Sequence, residues 1–113
     1  IEDSPAIMLN RLQGSRLGIW AAHGEGKFIF PEGNNNYAIA GKYAYDAYPS
    51  NPNGSAHNTA MLSNDDGRHL VMMPHLERAI FPWNWGSYPD DRSDEVSPWI
   101  MAFEDAFNWI LSR

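Results

Sequence analysis

The chain has 113 residues, a size suited to one domain, and 43% of them are hydrophobic, which allows a core and argues against disorder. The net charge of −6 argues against a binder of phosphate backbones, and the absence of cysteine excludes disulfides, thiolate metal sites and a cysteine nucleophile within these residues. No run approaches the roughly 18–20 apolar residues of a membrane span.

The start, "IEDSPAIMLN", lacks a basic region followed by a long apolar stretch, so it does not read as a signal peptide, and a cytoplasmic protein is expected. Ala6 to Leu9 follows a proline and reads as a short strand. Leu17 to Ala22, "LGIWAA", is nearly continuous in apolar character, as in a central parallel strand covered on both faces. It ends at "HGEG". Lys27 to Phe30 reads as a further strand, closed by the turn-rich "PEGNNN".

The pattern of "YAIAGKYAYDAY" predicts a hairpin with its turn at Gly41-Lys42, and "PSNPNGS" a loop. Asn53-Gly54-Ser55 matches a glycosylation sequon, without consequence in a cytoplasmic protein. "TAMLS" and "HLVMM" flank "NDDG", which predicts a second hairpin with Asp66-Gly67 at its turn. At the end of the chain, Ser97 is a fit N-cap and Pro98 a fit first helical residue. The spacing of Trp99, Phe103, Ala106, Phe107 and Ile110 predicts an amphipathic helix over 98–111, with Glu104, Asp105 and Asn108 on its solvent face.

"HLVMMPHLERAIF" carries the chemistry. A buried strand that stops at Pro74 delivers His75 and Glu77 to the edge of a sheet, where open α/β sheets bind their ligands. Histidine moves protons near neutral pH because its ordinary pKa is about 6.5. A carboxylate two positions on lies on the same side of an extended segment and can orient the ring. The plainer alternative is a loop histidine beside a solvated glutamate. "HGEG" is likewise either a turn or a place where backbone approaches a ligand closely. No metal site is expected: HExxH is absent, and the HxE of zinc deaminases lacks its cysteines. Phe81, Trp83, Trp85, Tyr88 and Trp99 read as core and docking residues before they read as a sugar platform.

Together, "GIWAAHGEGKF", "YPSNPNGS", "DGRHLVMMPHLER" and "SPWIMAFEDAFNWI" resemble, in order and over nearly the whole chain, the carboxyl end of the large single-chain phosphoribosylformylglycinamidine synthase family. The last domain of that family is a class I glutamine amidotransferase. The resemblance implies an α/β fold in which residues 1–113 form the carboxyl-terminal portion of a flavodoxin-like amidotransferase sandwich, with a hairpin excursion and a terminal helix. It implies a Cys–His–Glu triad, with the histidine at His75 and the glutamate at Glu77. It gives His23, Gly24 and Glu25 a place at the amino-acid end of glutamine. The nucleophile-bearing portion is missing from these residues, so the chain alone is expected to be inactive. Its partners are glutamine and the remainder of a longer polypeptide, whose synthetase part uses ATP and Mg2+; no nucleic acid or membrane partner is implied. A portion of a domain leaves apolar surface uncovered, so self-association, or dependence on other segments, is expected of it in isolation. The alternative reading is a self-standing, non-catalytic α+β binding module.

Overall fold

The computed structural model describes residues 1–31 and 37–113. The turn expected over 31–36 falls, from residue 32 onward, outside the described residues. Three strands form one antiparallel sheet: β1 (Ala38–Lys42), β2 (Thr59–Ser63) and β3 (Leu70–Met72), in the order β1-β2-β3. A helix, α1 (Ile100–Leu111), closes the chain, and a 3-10 helix over Ile7–Leu12 lies near its start. The coarse α/β expectation holds, although the sheet is small and antiparallel.

β2 is the centre of the sheet, and all five of its residues are buried. Its hairpin with β3 forms where the sequence predicts it. Met61, Leu62 and Ser63 pair with Met72, Val71 and Leu70, and Gly67 turns the chain at φ 72°. This glycine does more than turn. The Pro5 carbonyl sits where a Cβ on Gly67 would lie, and the Ile7 N–H donates to the Gly67 carbonyl, so the hairpin tip is keyed into the start of the chain. β3 itself is an edge strand with Val71 half exposed, not the buried strand the sequence suggested.

Several other expectations are corrected. Ala6–Leu9 is not a strand; it enters the 3-10 helix, which turns Leu9 and Leu12 into the core. Residues 17–22 and 27–30 join no ladder among the described residues. The first of these runs is apolar because it lies along aromatic side chains. Trp99 donates its indole N–H to the Gly18 carbonyl at 2.9 Å, and the Trp85 ring fills the space beside Gly18. The hairpin expected at Gly41-Lys42 is also absent. Gly41 has no left-handed φ; it sits in an irregularity of β1, under the Met61 side chain that any Cβ would strike. β1 pairs instead with β2, and the intervening residues 43–58 form the excursion.

α1 forms as predicted, with a different face turned inward. Ser97 and Pro98 carry the first turn: their carbonyls accept the N–H of Ile100 and Met101, and Ser97 Oγ ties the helix entry to the Ala79 carbonyl. Trp99 and Ala102 are buried. Asp105, expected in solvent, meets Arg11 of the 3-10 helix. The Arg11 backbone N–H donates to Asp105 Oδ2 at 3.0 Å, its Nε pairs with Oδ1, and its Nη2 reaches Glu104 Oε2 at 2.8 Å. Phe103, Phe107 and Ile110 of the predicted apolar stripe are 41%, 60% and 63% exposed. The helix thus docks through Trp99, Met101 and Ala102, with the Arg11 pair at the margin, and the aromatic stripe is left uncovered among the described residues.

Thr59 opens β2 with no exposed surface, and its Oγ1 has no hydrogen-bond partner among the described residues. A buried hydroxyl without a partner is costly, so Thr59→Val, which keeps the shape, is expected to leave stability unchanged or raise it by up to about 1 kcal/mol. Urea denaturation reads this, and a clear loss would show that the hydroxyl is satisfied.

Candidate active site

The segment after β3 alternates inward and outward. Pro74 is buried, Leu76 is 4% exposed and Ala79 is 1% exposed, while His75 and Glu77 point away from the core between them. The short 3-10 turn Leu76–Arg78 is closed by the Arg78 and Ala79 N–H groups donating to the carbonyls of His75 and Leu76. With Leu76 and Ala79 held in the core, this turn brings the two polar side chains together. His75 Nδ1 lies 2.9 Å from Glu77 Oε1. Both side chains retain access to solvent, at 42% for His75 and 59% for Glu77.

This contact has a definite chemical effect. When Glu77 is ionised, the proton of a neutral imidazole resides on Nδ1, which leaves the Nε2 lone pair free as a base. The Glu77 carboxyl lies below its usual range, first through its own backbone N–H and then through the bond from His75. A carboxyl more acidic in the folded chain adds stability above the ordinary carboxylate range, and that contribution is lost as pH falls through the lowered value. The Glu77 side-chain carbon signal, followed by NMR titration, is therefore expected to show a midpoint below that of an unperturbed glutamate. His75→Ala should move it upward, though not fully, because the backbone contribution remains. A midpoint indifferent to His75→Ala would mean that the pair does not persist in solution.

The "HGEG" residues form a tight turn on a neighbouring segment. Gly24 has φ 57°, a conformation that side chains disfavour, and the Gly26 N–H donates to the His23 carbonyl at 2.9 Å. Gly26 lies against Met73: a Cβ there would stand 3.1 Å from the Met73 sulfur. Met73 is two residues before His75, so the turn and the His75–Glu77 pair flank one strand exit. Of the five residues expected at the site, His75 and Glu77 touch directly, and His23 and Gly24 share the adjoining turn. Glu25 is exposed there and makes no side-chain hydrogen bond or ion pair among the described residues. No group of three or more histidine, aspartate or glutamate side chains that could hold a metal ion occurs among the described residues.

Sequence reasoning missed Asn53. Its Nδ2 lies 2.6 Å from the Gly24 carbonyl, 2.8 Å from that of Gly26 and 3.2 Å from His23 Nδ1. The opposite ring nitrogen, Nε2, lies 3.2 Å from the Tyr43 hydroxyl, whose pKa burial pushes up. The loop behind Asn53 is itself stapled. Asn51 exchanges two hydrogen bonds with the Ser55 backbone and a third with Asn58 Oδ1. Ser55 Oγ donates to the Thr59 carbonyl at 2.7 Å and accepts from the Phe28 N–H at 2.9 Å. The signal in the sequence was the spacing Asn51, Asn53, Ser55, amide-bearing and hydroxyl side chains that hydrogen-bond backbone readily. The sequon amide is thus engaged within the chain.

A larger cleft of about 930 Å³ lies beside this region, bounded by Leu17 to Ala21, Gly41 to Ala44, Tyr48 to Ser50, Pro74 and Trp99. Neither His75 nor Glu77 lines it. Pro74 forms part of its wall, so the cleft and the pair meet at that residue.

An exposed histidine–carboxylate pair thus lies near a glycine turn, on a chain whose 113 residues include no cysteine. The class follows from the family that matches: residues 1–110 fit the CobB/CobQ-like glutamine amidotransferase domain, and the chain belongs to that family. Among its relatives, the probable phosphoribosylformylglycinamidine synthase, chloroplastic/mitochondrial, of Arabidopsis thaliana is 42% identical over 127 residues, covering 99% of this chain and 9% of that protein. The phosphoribosylformylglycinamidine synthase of Homo sapiens is 39% identical over 120 residues, covering 95% of this chain and 9% of that protein. A probable synthase of the same name from Caenorhabditis elegans is 34% identical over 138 residues, covering 98% of this chain and 10% of that protein. The chain thus spans about a tenth of the length of these curated relatives.

Proposed function

We propose that these residues supply the proton-transfer half of a glutaminase site within a phosphoribosylformylglycinamidine synthase. The observation that carries the reading is the 2.9 Å contact between His75 and Glu77 at the strand exit beside the His23–Gly26 turn. The nucleophile is a cysteine thiolate on polypeptide outside the 113 residues. It attacks the side-chain amide carbon of glutamine. His75 removes the thiol proton and delivers it to the departing ammonia, leaving a glutamyl thioester. A water molecule, deprotonated by His75, then releases glutamate and the thiol. Glu77 holds the ring tautomer and stabilises the imidazolium that forms between these steps. The backbone of the turn, with His23, Gly24 and Glu25, meets the amino-acid end of glutamine.

In this reading the ammonia passes to a synthetase region, where ATP and Mg2+ drive conversion of formylglycinamide ribonucleotide to its amidine. No step on the described residues involves either cofactor. The complete amidotransferase domain is a flavodoxin-like sandwich, in which further elements cover Phe103, Phe107 and Ile110 and add strands to the sheet. Those exposed side chains support the reading, as does the share of the relatives' length that the chain leaves unmatched. The same uncovered surface would drive self-association of the chain in isolation. No helix among the described residues is long and apolar enough to cross a membrane. The cytoplasm is the compartment we favour; the Arabidopsis relative, named chloroplastic/mitochondrial, makes organelles the competing assignment that cell fractionation decides.

The experiment is glutamate release from glutamine by the full-length protein and by the 113-residue chain. The reading expects turnover by the former and none by the latter. Turnover by the chain alone would place the nucleophile among these residues and overturn it.

A further inference from the structure

Asn53 stands outside the pair and turn for which chemistry has been proposed, yet among the described residues its side chain makes the most hydrogen bonds to that turn. A primary amide has two N–H groups, and here they face two carbonyl acceptors, of Gly24 and Gly26, with His23 Nδ1 3.2 Å away. Both ends of the turn are therefore held from one nitrogen. That nitrogen is in turn held by a loop with little freedom, because Asn51 and Ser55 are each only 5% exposed and tie the loop to the Thr59 backbone that opens β2. A continuous line of contacts runs from the central strand, through Ser55 and Asn53, to the glycine turn and then to Met73, two residues before His75.

From this arrangement we propose that Asn53 is a positioning residue, whose Nδ2 fixes the shape in which the His23–Gly26 turn meets the amino-acid end of glutamine. The proposal rests on the glutaminase reading above. The turn needs such a fastener. Gly24 holds a left-handed conformation and, among the described residues, the segment before it joins no ladder and the Gly26 N–H to His23 carbonyl bond is the backbone bond that closes the turn. An amide suits the task because it only donates from this nitrogen and stays uncharged. A carboxylate of the same shape would present lone pairs to two carbonyl oxygens and push them apart.

The test uses the full-length protein, with Asn53→Asp as the near-isosteric variant that reverses the polarity and Asn53→Ala as the variant that only deletes it. Glutamine hydrolysis is measured across glutamine concentrations, alongside the thermal melting midpoint. A fastener of the binding turn predicts that KM for glutamine rises about tenfold or more in Asn53→Asp and less in Asn53→Ala. The value of kcat at saturation should stay within about threefold, because the His75–Glu77 pair is untouched. A residue needed only for folding would lower the active fraction, and so kcat and the melting midpoint, while the surviving molecules kept their KM; that result overturns the proposal. Wild-type turnover with unchanged KM in both variants overturns the proposal and leaves the glutaminase reading standing. A wild-type protein unable to hydrolyse glutamine overturns both.

Discussion

Replacing His75 by alanine in the full-length protein is expected to lower kcat/KM for glutamine hydrolysis by about 10²–10⁴-fold, with KM little changed. The prediction follows from the position of the ring. His75 lies between two anchored residues, Pro74 and Leu76, with Nδ1 occupied by Glu77. In the proposed reaction its remaining nitrogen is the one that exchanges a proton with the thiol and with the leaving ammonia. The side chain is 42% exposed, so removing it leaves no cavity in the core, and the melting midpoint should move by no more than a few degrees. A large fall in kcat without loss of fold is the signature of a group that acts in the reaction. A variant that retained most of its turnover would remove His75 from the chemistry.

The second large effect concerns stability. Gly67→Ala is expected to destabilise the chain by about 3 kcal/mol or more, through two costs that add. A side chain at φ 72° is disfavoured by roughly 1–3 kcal/mol. In addition, the new Cβ would fall 1.9 Å from the Pro5 carbonyl oxygen, on backbone that cannot swing aside. Relief requires the hairpin tip to part from the start of the chain, which also breaks the bond from the Ile7 N–H and loosens the 3-10 helix behind Leu9 and Leu12. Urea denaturation measures the loss. Gly54→Ala provides the comparison, since Gly54 has a similar φ of 71° but open space where its Cβ would lie. It should cost the backbone penalty alone. Equal losses at the two positions would show that the contact with Pro5 is absent.

The parts of the fold that local chemistry determines were legible in the sequence. Asp66-Gly67 needs a left-handed residue, and the hairpin formed there. Ser97 and Pro98 define a helix start, and α1 began within a few residues of them. The pairing of His75 with Glu77 was readable because buried neighbours on either side of a short segment leave the alternate residues facing outward.

What could not be read depended on distant partners. "LGIWAA" looks like a strand because apolar density alone does not distinguish pairing with a ladder from lying along Trp85 and Trp99. Gly41 looks like a turn because glycine also marks irregular strands, and only the Met61 side chain across the sheet decides between the two. The inward face of α1 was misjudged because the 3-10 helix it packs against, whose Arg11 meets Asp105, lies some ninety positions earlier. The role of Asn53 was hidden for the same reason. A side-chain amide in a loop has many possible acceptors, and the sequence does not say that a glycine turn nearly thirty residues away provides them. The family, by contrast, was carried by ordered short motifs spread over nearly the whole chain.

The central claim is that Glu77 works through His75 in the hydrolysis of glutamine. The most direct test is a double-substitution cycle on glutamine hydrolysis by the full-length protein, with His75→Ala, Glu77→Gln and the two combined. Residues acting as one unit give a combined variant no slower than His75→Ala alone, because an orienting carboxylate has nothing left to orient. Losses that multiply, with the combined variant slower than either by the product of the two effects, would show that the residues act separately and would contradict the account.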